Sequence, residues 1–246
     1  MLIINADDLG RTDTATVNSI TCYRLGLITS ASAMVFMIDS QHAAELATTV
    51  GLETGLHLNL SLPFDGPKIP PRLWEHHVSV GRYLRFGQWA QVMYNPFLKD
   101  KFNYIFKAQY DEYCRLFGRE PAKIDGHHHM HLCMNMIADR IIPPGRRVRR
   151  NFSFGPGEKT IFNRSYRRLI DLWLVRHYFC TDSFFSIEPV ADHKRIEKIV
   201  RIAYSSNVEL EVHPEKTEQY EYLMNAHYRD LIAAVPKGPY RMLLEL

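Results

Sequence analysis

Short apolar runs alternating with stretches of helical periodicity constrain this 246-residue chain more than any other feature. Residues 2–6, 29–35, 54–60, 122–125 and 208–212 read as strands. Helical patterns are expected over 14–23, 41–49, 83–94, 100–117, 134–141, 169–178 and 192–205, and one over 218–234 closes the chain before a short final strand from Tyr240. A turn-rich loop is expected at 63–71. Strands separated by helices make βα units and a mainly parallel sheet, so the fold class is α/β, and residues 1–246 form a single domain with no internal repeat.

Four strand ends carry metal-binding or proton-transferring side chains. Asp7-Asp8 ends the first strand, His57 lies in the third, Asp125-Gly126-His127-His128-His129-Met130-His131 follows the fourth, and His213-Pro214 follows 208–212. In parallel α/β folds, and in barrels above all, that edge is where active sites are built. Each motif has a plainer reading. Asp7-Asp8 serves a metal and a proton transfer, or only caps the next helix and forms a turn. His57 is a ligand or a hydrogen-bonded core residue, and His213 moves a proton or merely ends a strand. The four imidazoles within 127–131 are costly to bury without a use, because each ring has two nitrogens needing partners. One or two of them suffice for an ion, leaving His128, His129 and His131 to support it or contact substrate, with Asp125 placed to orient a ligating His or to contact the substrate. Together, one carboxylate and two imidazoles make a three-ligand site with open positions.

In these motifs (Asn-Ala-Asp-Asp-Leu-Gly, Thr-Gly-Leu-His-Leu-Asn-Leu, Asp-Gly-His-His-His-Met-His and Val-His-Pro-Glu) the chain resembles the YdjC-like carbohydrate deacetylases, which include chitooligosaccharide deacetylase and HpnK-like members. The motifs span residues 5–215, with Leu9 where the family usually has Phe. The resemblance implies a distorted, TIM-like (β/α) barrel. It also implies one divalent metal ion (Mg or Zn first, then Mn, Co or Ni) and hydrolysis of an N-acetyl amide on a sugar or glycan. By motif position, Asp8, His57 and His127 would be the metal ligands, Asp7 the general base and His213 the general acid. Two other readings compete: a metal-dependent barrel hydrolase of another amide or a phosphoester, and a non-catalytic sugar binder.

Residues 146–185 match the chitooligosaccharide branch poorly. They are rich in Arg and aromatic side chains and contain the turn signal Gly155-Pro156-Gly157. Aromatic faces stack on sugars and Arg pairs with phosphate, so this stretch reads as a substrate-facing insertion suited to a phosphate-bearing or lipid-linked glycan. A solvated helix whose Arg stems cover apolar surface is the alternative. The basic run at 146–150 reads as solvated surface, and a net charge of +3 gives no reason to expect a nucleic-acid partner. Peripheral contact with a lipid-linked substrate, and a homodimer, are left open. No apolar run is long enough to span a bilayer, and the N-terminus lacks the signature of an export signal, so the cytoplasm is the expected location. Four scattered cysteines read as reduced thiols.

Overall fold

In the computed structural model, which describes residues 1–87, 89–154 and 158–243, six strands lie in one parallel sheet ordered β4-β3-β2-β1-β6-β5. The elements run β1 (Leu2–Leu9), α1 (Asp13–Arg24), β2 (Ser30–Ala33), α2 (Ser40–Val50), β3 (Thr54–Leu58), α3 (Pro71–Arg85), α4 (Lys99–Phe117), β4 (Ile124–Gly126), α5 (Met134–Ala138), α6 (Ile161–Leu174), β5 (Ser183–Ser186), α7 (His193–Ile202), β6 (Val208–Val212), α8 (Thr217–Met224) and α9 (Ala226–Ala233). The sheet curls into the wall of a distorted (β/α) barrel. A seventh, irregular stave fills the gap between its edges. Ile124 of β4 donates to the Arg147 carbonyl and accepts from Arg149 N–H, and farther along Ser153 N–H donates to the carbonyl of Phe184 in β5.

The two-residue period of the strands separates two interiors. Leu2, Ile4 and Ala6 of β1, Ala31 and Ala33, Leu56 and Leu58, and Val208, Leu210 and Val212 face the helices and form the main apolar core. The alternate positions face into the barrel and are polar: Asn5 and Asp7, Ser30 and Ser32, His57, Lys123 and Asp125, Glu209 and Glu211, all buried. Ile3, Tyr240 and Leu243 plug the bottom. Gly55 occupies an inward position because a Cβ there would lie 2.5 Å from Lys123 Cγ.

Several boundaries differ from the sequence expectation. The helix expected at 83–94 lies earlier. Pro71 starts α3 at a position where its missing N–H costs nothing, and Leu73, His77, Val80 and Leu84 are its buried stripe. Among the described residues that follow, 89–92 form turns. The expected helix at 218–234 breaks at Asn225, which is extended (φ −69°, ψ 142°) and caps α9 by accepting from His227 N–H. The final strand expected from Tyr240 is a 3-10 turn. Helix α6 starts at Ile161, where Thr160 caps it, not at 169. The signal Gly155-Pro156-Gly157 lies outside the described residues. Among the described residues the four cysteines are free thiols, and no helix is long and apolar enough to cross a membrane.

Candidate active site

Strand β1 explains how two adjacent carboxylates reach one site. Ala6 pairs with Ala31 and Leu9 with Ala33, so β1 carries one extra residue there. The bulge turns on Asp8, whose φ of 66° lies in the left-handed region. Asp7 points inward by strand alternation, and the bulge swings Asp8 toward the same side. A non-glycine residue in that conformation marks strain of the kind that collects at functional sites.

Asp8, His57 and His127 offer three ligand atoms within 4.8 Å of one another. Asp8 Oδ1 lies 2.9 Å from His127 Nδ1 and 3.2 Å from His57 Nε2. His57 Nδ1 is 2.8 Å from Asp125 Oδ1. Its Nε2 is buried without a hydrogen bond in good alignment. A ring that donates through Nδ1 to a carboxylate keeps its Nε2 lone pair for a cation, the usual carboxylate–histidine–metal arrangement. Burial opposes charge on His57, yet Asp7 and Asp125 outweigh it and raise its pKa to about 10, so the site calls for a proton or a metal ion at that nitrogen. The donor set therefore fits a divalent ion.

The sequence reading missed what surrounds this group. Arg149 is 1% exposed. It donates to both oxygens of Asp7 at 2.6 and 2.7 Å, to Glu209 at 2.7 Å and to Glu211 at 3.2 Å, and lies 3.0 Å from Asp125. The solvated reading of 146–150 fails at this residue, because the stave aims it into the barrel. Lys123 bridges Asp125 at 2.6 Å and Glu209 at 2.8 Å. Burial works against ionised Asp7, but Arg149 overrides it and holds the carboxyl well below the usual carboxylate range. Glu211 is pushed well up by burial and by the neighbouring Asp7. Only the inward parity of Glu209 and Glu211 in the sequence could have flagged them. For Arg149 no local signal existed.

These groups open on a cavity of ≈ 430 Å³ lined by Asp7, His57, His127, Glu211, His213 and the aromatic wall Phe152 and Phe154, among others. His213 Nδ1 is buried without a partner, and burial lowers the pKa of the ring. The remaining histidines divide. His128 is exposed at the rim, 3.0 Å from Ser61 Oγ, and packs against His127 with the rings tilted by 38°. His129 reaches toward Glu211 at 3.7 Å. Both take left-handed backbone, φ 54° and 56°. His131 turns away from the cavity, and its Nε2 donates to the Arg149 carbonyl at 3.0 Å. Asp125 sits behind His57 and holds that ring.

Over 135 residues the chain is 33% identical to a chitooligosaccharide deacetylase of Serratia marcescens, covering 54% of this chain and 51% of that protein. Over 134 residues it is 34% identical to the chitooligosaccharide deacetylase of Proteus mirabilis (strain HI4320), covering 54% and 50%. The matched part thus spans about half the length of these relatives. A solved structure described as a putative cellobiose-phosphate cleavage protein from Enterococcus faecalis V583 superposes with a TM-score of 0.70 at 18% identity, over 99% of this chain and 98% of that one, which is a likeness of fold. The model of the YdjC-like protein family matches residues 1–234, and the chain belongs to that family.

Proposed function

We propose that this protein is a metal-dependent hydrolase that removes the acetyl group from an N-acetylated sugar or glycan, releasing acetate and a free amine. The observation that carries the reading is the convergence of a three-ligand group, an anionic Asp7 and an unpartnered His213 nitrogen on one cavity. Family membership and the names of the relatives support the substrate class.

In this reading Asp8, His57 and His127 hold one divalent ion, and mixed carboxylate and imidazole donors suit Zn, Mn, Co or Ni as well as Mg. The ion supplies Lewis acidity toward water and the acetyl carbonyl. Asp7 accepts the proton of the attacking water, with Arg149 keeping both carboxylate oxygens ionised and aimed. His213 gives a proton to the departing amine, and the burial that disfavours its charged form makes the protonated ring the stronger acid. Asp125 fixes the tautomer of His57. Phe152 and Phe154 offer faces on which a sugar ring stacks, and Glu211 and His129 provide polar contacts beside it. Residues 146–185 then act partly as substrate wall and partly as the stave that carries Arg149.

Mass spectrometry of a panel of N-acetylated glycans incubated with the metal-loaded protein tests this. The expected result is loss of one acetyl mass with an equal amount of acetate. Unchanged masses across the panel, or phosphate release from phosphorylated sugars instead, would overturn it.

A further inference from the structure

Exposed large apolar side chains concentrate beside the active-site mouth. Phe86, Trp89 and Met93 are 90%, 69% and 60% exposed, and on α6 Ile161, Phe162 and Leu169 are 68%, 86% and 66% exposed. The two stretches flank a second cavity of ≈ 390 Å³, with Trp89 and Val92 on one side and Tyr166 and Arg167 of α6 on the other. That cavity shares His128, His129 and Phe152 with the active-site cavity. A concentration of this kind, rimming a site, marks a docking surface rather than ordinary surface scatter.

Within α6 and residues 86–93 the exposed charge is basic, and Glu158, three residues before the helix, is the exposed acid next to it. Along α6, Ile161, Arg168, Leu172 and Val175 recur at helical spacing and are all exposed. Arg176 follows, exposed as well. The one acid of α6, Asp171, is buried and paired with Arg150 at 2.9 Å. Residues 86–93 contain no acid. Apolar side chains interleaved with guanidinium groups suit the boundary between acyl chains and anionic headgroups.

We propose that this face docks on an anionic lipid bilayer and holds the active-site mouth at headgroup level, so that the sugar is reached while still attached to its lipid. The identity of that sugar rests on the function proposed above. The docking itself does not, and metal-stripped protein docks equally well.

Co-sedimentation with phosphatidylcholine vesicles, with and without phosphatidylglycerol, tests the docking. The protein binds the anionic vesicles and is released by salt, which screens the Arg contribution. The emission of Trp89 shifts to the blue on binding, and the shift is lost in Trp89→Phe. Phe162→Ser with Leu169→Ser weakens binding about tenfold, and Arg168→Glu about fivefold, with thermal midpoints and turnover of a soluble substrate unchanged. No binding to anionic vesicles at low salt, or binding indifferent to these substitutions, would contradict the docking. So would a stable dimer in light scattering that Phe162→Ser breaks. Vesicle binding without acetate release from any substrate would remove the chemistry and leave the docking. Deacetylation of soluble sugars by a protein that ignores vesicles would do the reverse.

Discussion

The two faces of the β-sheet are built from the same strands and do opposite work. On β6, Val208, Leu210 and Val212 pack beneath the helices, while Glu209 and Glu211 between them enter an interior holding Asp7, Asp125, Arg149 and Lys123. The outer face gains from removing apolar surface from water and has no directional demands. The inner face is costly to bury and persists only because nearly every charge meets a counter-charge at hydrogen-bond distance. Two-residue periodicity thus lets one segment stabilise the fold with one set of residues and present chemistry with the other.

Substitutions on the two faces should therefore fail in different ways. Asp7→Asn removes the proton acceptor but none of the ligands, so turnover should fall roughly a hundredfold to ten-thousandfold with metal content unchanged. Steady-state rates together with metal analysis check this, and near-normal rates would remove Asp7 as the base. Arg149→Met leaves Asp7, Asp125 and Glu209 buried without their shared cation. Such an uncompensated group costs about 3–5 kcal/mol, to be read from urea unfolding, with activity lost even in the folded fraction. Leu210→Ala, one residue from Glu209 and Glu211 but on the other face, should cost about 2–5 kcal/mol of stability. The folded enzyme should keep its kcat, and a large drop in kcat would blur the distinction between the faces.

The most gradual effect concerns pH. Burial pushes His131 down to about 4 from 6.5. The unfolded chain therefore takes up a proton below about 6.5 that the folded chain refuses until about 4. The folded value is the lower one, so the stability contributed by this ring is present above 6.5 and lost as pH falls through that window, by about 3 kcal/mol. His77, also lowered to about 4 by burial, adds to the slope in the same direction. Unfolding midpoints measured from pH 7 to 4 should fall more steeply in the wild type than in His131→Gln, whose side chain can still donate to the Arg149 carbonyl.

The comparison of faces also explains what the sequence disclosed. The apolar runs located five of the six strands, missing only β5 at the end of the irregular stretch, and Asp7, Asp8, His57, His127 and His213 stand at or within two residues of strand ends, where local pattern shows them. Arg149 could not be found this way. Its partners Asp7 and Glu209 lie 142 and 60 residues away, and nothing in a basic run distinguishes the one guanidinium that points inward. The helix expected at 83–94 was misplaced because the buried stripe of α3 includes His77 and Gly81, which weaken an apolar signature. The break at Asn225 was hidden because the residues on both sides are good helix formers. The insertion expected at 146–185 proved in part a stave of the barrel, since extended chain pairing with two sheet edges leaves no periodic apolar trace.

Equilibrium dialysis against a divalent ion, followed by elemental analysis of wild type and single variants, tests the central assignment most directly. One ion per chain is predicted for the wild type, for Asp7→Asn and for His213→Asn, with that ion lost in His127→Ala and Asp8→Ala. A wild type that retains no stoichiometric ion, or a His127→Ala protein that retains it undiminished, would contradict the assignment.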